Sequence, residues 1–437
     1  MNDRNVIARY FRFSELNTSF SQETIAGLTT FLAMAYILFV NPSVLGDAHM
    51  DKGAVYTATA LSAAIGTLIM GILARYPIAI APGMGLNAFF TYSVVIKLGI
   101  PWETALAGVF ISGVIFVIIT IFKIREKIIN AIPANLKHAT AAGIGLFIAF
   151  IGLQGSGIVV KNDSTLVALG DVTDPKVLLT FFGILVTIVL LVRNVKAAVF
   201  YGMILTAIAG LCFGVIHKPD AVLANIQSLS PVFGVAVTHI PDINSLQLVI
   251  VVLTFLFVGF FDTAGTLMAI ANQAGLLRDN KLPRAGRALL ADSSSIVIGS
   301  VLGTSSTTAY VESSSGVAAG GRTGFASIIT GLLFIIALFF SPLLNVITDQ
   351  VTAPALIIVG VLMATSLKNI EWNQIEIAIP AFLTMVAMPL TYSITTGIAL
   401  GFVVYPITMA VKGRIKELHP LMYVLFVLFI IFLPFLS

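Results

Sequence analysis

Long apolar runs separated by short polar breaks fill this chain, and most have the length of about 20 residues that a helix needs to cross a bilayer. In the first half such spans are predicted at about 24–41, 54–73, 104–122, 138–153, 177–192 and 197–216. In the second half they fall at about 246–275, 287–302, 325–344, 354–366, 375–389 and 394–411, and a last apolar segment covers 421–435. Asn41-Pro42 is expected to close the first span. Glu23, in its first turn, is expected to stabilise that helix's own N-terminus.

Two stretches break the pattern. Residues 303–321 hold Thr304, Ser305, Ser306, Thr307 and Thr308, then Glu312, then Ser313, Ser314 and Ser315, framed by glycines. Hydrocarbon offers no hydrogen-bond partners to freed backbone or to a charge, so such a stretch survives only against protein or a wet cavity. The second stretch is 78–90. Ile78-Ala79-Ile80-Ala81 suits an extended piece, Pro82 a first helical position, and Gly83 and Gly85 a close approach of backbone. The simplest reading is a half-helix whose N-terminus lies inside the membrane.

A polar linker at 217–245, carrying Pro219, Pro231 and Pro241, divides the chain into 1–216 and 246–411. A basic loop and the surplus apolar segment follow in 412–437. Each half then has seven elements, of which the third is polar and glycine-rich, the pattern of a transporter with its site at a repeat interface. An odd number of elements per half inverts the second half relative to the first. The charges agree with this count. With the N-terminus cytoplasmic, all of the 24 lysines and arginines except Lys52, Lys97, Lys161, Lys176 and Lys218 fall on the cytoplasmic side, the expected bias.

Composition narrows the class further. The 437 residues are 58% hydrophobic and 10% charged, with a mean hydropathy of +1.02, against about 25% charged in soluble domains. The chain reads as an all-α polytopic membrane protein without a large soluble domain. Its net charge of +4 comes from loop residues sorted by membrane side and does not indicate nucleic acid. Cys212 is the one cysteine, which rules out an internal disulfide. The first thirteen residues are polar and hold Arg4, Arg9 and Arg12, so no removable signal peptide is expected. There is no GxxxxGK[ST] and no HExxH, and His49, His138, His217, His239 and His419 do not cluster, so no metal site is expected.

Within the spans, Asp262 and Glu312 stand out. A carboxylate near the membrane centre costs at least about 2.5 kcal/mol on insertion scales and so points to function. Asp262 shares one helical stripe with Thr266, Ala269 and Gln273. A buried carboxylate can accept hydrogen bonds from the N–H groups of a small polar ligand and can carry a proton. Asp292, nearer a basic loop, is explained at least as well by a structural pairing with Arg284 or Arg287 as by function. Asn87 and Thr91 are candidate polar lining, and Phe89, Phe90 and Tyr310 are candidate stacking surfaces for a flat ligand.

Four motifs stand in order: Glu23-Thr24-Ile25-Ala26-Gly27-Leu28-Thr29-Thr30-Phe31, Ala81-Pro82-Gly83-Met84-Gly85-Leu86-Asn87-Ala88, Phe261-Asp262-Thr263-Ala264-Gly265-Thr266 and Ala309-Tyr310-Val311-Glu312-Ser313. Together they resemble the AzgA-like purine permeases of the nucleobase cation symporter superfamily, over nearly the whole chain. The resemblance implies a uracil-transporter-like seven-plus-seven inverted repeat with core and gate domains. It implies short antiparallel strands in the third and tenth elements, and proton-coupled uptake of hypoxanthine, guanine or adenine across the cytoplasmic membrane by an elevator-like movement. It makes Asp262 and Glu312 base-binding and proton-coupling residues, and draws Thr30, Thr266 and Val311 into the site beside Phe89, Asn87 and Tyr310. Relative to the uracil-type pattern, Asp262 replaces a glutamate, Thr266 stands where a histidine can occur, and Val311 replaces a glycine. No cofactor is expected beyond the coupling ion, a proton or, as the alternative, sodium. The expected partners are a purine base and the lipid bilayer, with a homodimer as an admissible assembly. Two rivals stay open: an inorganic-anion transporter on the same scaffold, and an intramembrane enzyme using Asp262 and Glu312 as an acid/base pair.

Overall fold

The computed structural model describes residues 5–123, 132–219, 221–243, 246–276 and 283–432. After a short surface helix, α1 (Val6–Tyr10), the first half runs through α2 (Phe20–Met34), α3 (Ile37–Asp47), α4 (Lys52–Ile69), β1 (Ile80–Pro82), α5 (Met84–Ala88), α6 (Trp102–Ile121) and α7 (Ala134–Gly155). It continues with β2 (Val159–Asn162), β3 (Leu166–Leu169), α8 (Pro175–Val192) and α9 (Ala198–Cys212), and α10 (Val235–Thr238) lies in the connection. The second half holds α11 (Leu246–Gln273), α12 (Ala285–Leu302), β4 (Thr307–Ala309), α13 (Ser313–Ala318), α14 (Gly324–Ala337), α15 (Asp349–Ala364), α16 (Ile375–Thr391) and α17 (Ile394–Val411), followed by α18 (Pro420–Phe432). Among the described residues nine helices, with α2 and α3 counted as one, are long and apolar enough to cross a membrane. The chain is a multi-pass membrane protein.

Local chemistry sets the helix starts. Ser19, Asp51 and Ser393 accept hydrogen bonds from the N–H groups of Gln22, Ala54 and Thr396. Asp174 does the same for Lys176, with Pro175 in the first turn of α8, where its missing N–H leaves nothing unsatisfied. Gly303 closes α12 with φ of 99°, a left-handed conformation that glycine adopts without a Cβ penalty, and Val232 of the connection packs against it.

The helices sort into two bodies by their position within each half. Helices α2 to α6 pack with α11 to α14, whereas α7 to α9 pack with α15 to α17. The first body, the core, therefore takes elements one to four of both halves, and the second, the gate, takes elements five to seven. This is a seven-plus-seven inverted repeat. In the gate, α7 and α15 cross at bare backbone: a Cβ built on Gly145 would lie 2.7 Å from the Gly360 carbonyl oxygen, and one on Gly360 would strike the Gly145 carbonyl. Small residues let membrane helices approach this closely, which supplies packing that hydrophobicity cannot.

Several expected boundaries shift. The first span does not close at Asn41-Pro42; the ladder slips at Ala35 and Tyr36, and the helix resumes through Pro42 to Asp47. The 217–245 linker is not a bare tether, since Gln227 O accepts from Thr57 Oγ1 at 3.0 Å and Val301 O accepts from Gly234 N at 2.8 Å. An unforeseen hairpin, β2 with β3, stands between α7 and α8. The surplus segment forms α18 and rests on α17, with the Phe402 and Phe429 ring centroids 5.4 Å apart. Its 13 described residues reach about 20 Å, short of the roughly 30 Å hydrocarbon core. Arg414 ties the intervening loop to α16, donating to Glu417 at 2.9 and 2.8 Å and to Glu376 at 2.9 Å, and holds the Glu417 carboxyl below its ordinary range.

Gly360→Leu is expected to overpack the crossing of α7 and α15 and to destabilise the protein by about 1–3 kcal/mol or more. Thermal unfolding in detergent would register a lower midpoint, and an unchanged one would contradict the close crossing.

Candidate functional site

The two irregular stretches meet in a two-stranded antiparallel ladder. Ile80 pairs with Ala309, Ala81 with Thr308 and Pro82 with Thr307. Gly83 N donates to Ser306 O and Tyr310 N to Ala79 O, both at 2.9 Å. Thr67 of α4 serves the outer edge, accepting from Ile80 N at 2.9 Å and donating to Ile80 O at 3.0 Å. Ala79 N donates to Ser313 Oγ at 3.0 Å. These backbone groups, which a helix would have paired internally, thus find partners across the break, as a water-free setting requires. A short half-helix leaves each strand, α5 from β1 and α13 from β4.

A buried amide cluster fastens the two stretches to the first span. Asn41 Nδ2 donates to Thr59 Oγ1 at 2.7 Å and to Thr304 Oγ1 at 2.9 Å. Asn87 Nδ2 donates to Asn41 Oδ1 at 2.6 Å, and Asn87 Oδ1 accepts from Ser305 Oγ.

Between core and gate lies a cavity of about 220 Å³. Its core wall is Tyr36, the backbone of Gly83 to Gly85, Thr266 and the run from Thr308 to Glu312; its gate wall is Ala141, Val359, Leu362, Met363, Thr365 and Ser366. Glu312 lies at the start of α13, yet its side chain caps no N–H of that helix. The first N–H groups instead turn back on carbonyls: Ser313 N donates to Tyr310 O, Ser314 N to Val311 O and Ser315 N to Glu312 O. Glu312 Oε1 accepts from the Tyr36 hydroxyl at 2.6 Å. None of the described residues lining the cavity is lysine or arginine.

Residues 21–400 match the Xan_ur_permease model, described as the Permease family. The chain belongs to this permease family. It is 63% identical over 425 residues to the guanine/hypoxanthine permease PbuG of Bacillus subtilis (strain 168), covering 95% of this chain and 97% of that one. It is 42% identical over 428 residues to the adenine permease AdeQ of Escherichia coli (strain K12), covering 97% and 95%. The solved transmembrane domain of the cyanobacterial bicarbonate transporter BicA superposes with a TM-score of 0.66 at 13% identity, over 88% of this chain and 98% of that one. That likeness is one of fold alone. A permease moves its substrate unchanged, so the chain is not an enzyme.

Of the residues singled out in the sequence of this permease, Glu312, Val311, Tyr310 and Thr266 line one cavity. Val311 is 50% exposed, an apolar side chain left open at that wall. Tyr310 presents its ring while its hydroxyl donates to Pro82 O across the ladder. The Asp262 side chain lies outside the described residues; its backbone is in α11. Three others, Asn87, Phe89 and Thr30, do not line this cavity and have buried side chains. Asn87 is fully buried in the amide cluster. Phe89 stacks edge-on with Phe255 at 4.9 Å. Thr30 packs beneath α13, where Gly316 has no Cβ to hold it off.

One charged residue also differs from expectation. Glu23 does not serve its own helix. Buried completely, it accepts from Thr18 Oγ1 at 2.8 Å, Arg322 N at 2.9 Å and Thr323 N at 3.2 Å, closing the start of α14 in the other half. Arg322 in turn donates to Val317 O at 2.8 Å and Gly321 O at 2.7 Å, capping the C-terminal end of α13. Asp292 is buried on α12, and the Arg284 guanidinium lies 5.1 Å over the Tyr76 ring. Tyr36, Thr308, Thr365 and Ser366 were missed by sequence reading. Tyr36 alone left a signal, as a phenol in an apolar span upstream of Asn41-Pro42.

Asn87→Ala is expected to leave the amide cluster short of partners and to destabilise the protein by about 1–3 kcal/mol, with the KM of the folded protein within twofold of wild type. A tenfold KM change at an unchanged melting temperature would return Asn87 to the binding surface.

Proposed function

We propose that this permease imports purine nucleobases across the cytoplasmic membrane by proton symport, hypoxanthine and guanine before adenine. The observation that carries the reading is Glu312, a carboxylate at the wall of a cavity between two bodies. Guanine and hypoxanthine present an N1–H, joined in guanine by an amino group, and a carboxylate is acceptor-only with room for two such donors. Adenine offers its amino group without the N1–H. The relatives named guanine/hypoxanthine and adenine permeases support the same class. The cavity of about 220 Å³ falls below the range of about 300–1,000 Å³ typical of drug-sized ligands, which suits a bicyclic base.

In this reading Asp262 and Glu312 bind the base and share the coupling proton, with Thr266, Val311 and Tyr310 shaping the pocket. Residues 1–216 and 246–411 are the two repeats, 217–245 is an extracellular connection, and 412–437 is a cytoplasmic loop with an extra apolar segment. The N-terminus is cytoplasmic. Elevator-type movement of the core suits a cavity whose carboxylate lies on the core wall while the gate wall is mostly apolar. An inorganic anion is disfavoured, because Glu312 would repel it and no cation among the described lining residues would hold it.

Uptake of radiolabelled hypoxanthine into vesicles should be saturable, competed by guanine, collapsed by a protonophore and lost in Glu312→Ala. Uptake indifferent to both the protonophore and the substitution would overturn the proposal. Uptake that survives the protonophore and follows a sodium gradient would assign the coupling to sodium.

A further inference from the structure

Tyr36 lines the site without having been singled out among the predicted site residues. It is 1% exposed and lies at the slip between α2 and α3, where Leu38 N donates to Ala35 O at 3.2 Å and both Phe39 N and Val40 N donate to Tyr36 O, at 3.1 and 3.0 Å. Its hydroxyl donates to Glu312 Oε1 at 2.6 Å, joining the first element to the tenth. Both residues line the same cavity. They also belong to one body, because α2 is fastened to the tenth element beneath Glu312: Gly316 of α13 lies against the Ala26 carbonyl and Thr30.

We propose that Tyr36 is a positioning residue for substrate recognition, an inference that rests on Glu312 being a base-binding carboxylate. Three rotatable side-chain bonds let a glutamate sample many orientations, and fixing them when a ligand arrives weakens binding. The Tyr36 hydroxyl fixes Oε1 beforehand. A carboxylate has about four lone-pair sites, so with Oε1 held by the phenol it keeps acceptor capacity for the N–H edge of the base. The slip in the first span delivers the phenol to that place, which an unbroken helix would orient differently. Tyr36, itself part of the cavity wall, therefore acts on binding through Glu312.

The test is a double-mutant cycle on the full-length protein in vesicles, with Tyr36→Phe, Glu312→Gln and both together, reading KM and maximal rate for guanine uptake. Guanine-induced thermal shift of each detergent-purified variant gives a second readout confined to folded protein. Tyr36→Phe should raise KM about tenfold with an unchanged melting temperature in the absence of ligand. The double variant should fall well short of the product of the two single effects, because the phenol then has only a neutral amide, and no carboxylate, to position. Singles whose effects multiply would show that Tyr36 acts independently and would overturn the inference, as would a wild-type KM in Tyr36→Phe. If Glu312→Gln raises KM while Tyr36→Phe does not, the positioning role fails and the binding site stands. If Glu312→Gln leaves KM unchanged, the site reading fails and this inference with it.

Discussion

Every backbone N–H and C=O placed within a bilayer must find a partner in the protein, and the pairing of β1 with β4 is how this chain meets that demand where its helices are broken. Neither strand could stand alone, since a three-residue segment has no internal partners. Each supplies the other across the middle of the core, and hydroxyls from Thr67 and Ser313 take up groups the ladder leaves over. Two half-helices can consequently begin in the interior. The polar run around Glu312 follows from that freedom, since the irregular backbone there brings a carboxylate to a cavity wall.

Side chains that look alike in the sequence are divided between two tasks. Glu23 and Glu312 are both carboxylates beside helix starts, yet Glu23 closes the N-terminus of α14 while the first N–H groups of α13 turn back on their own carbonyls and leave Glu312 available. Asn41, Asn87, Thr59, Thr304 and Ser305 form a closed polar cluster that fixes the break without contributing to the cavity wall. Buried polar groups of this kind are costly unless fully paired. Their pairing here explains how a stretch so rich in hydroxyls can sit inside a membrane protein, and why few of those hydroxyls are left for a ligand.

The sequence alone determined the membrane character, the seven elements per half, the two broken elements and the place of Glu312 in one of them. All of these follow from local properties: span length, charge bias, glycine and hydroxyl content, and the expense of a carboxylate in hydrocarbon. Thr266, Tyr310 and Val311 were also legible, because each lies next to a carboxylate-bearing motif in sequence or on one helical stripe. What the tertiary structure decided is which polar groups are used up. The halves do not pack as halves; elements one to four of each interleave into one body, so Glu23 meets Arg322 and Tyr36 meets Glu312 across 299 and 276 positions of the chain. Asn87, Phe89 and Thr30 carry no mark that separates a lining residue from a structural one. That distinction depends on which neighbour reaches each side chain first, and hydrogen-bond partners and packing surfaces this remote are set by the assembled core rather than by any local pattern.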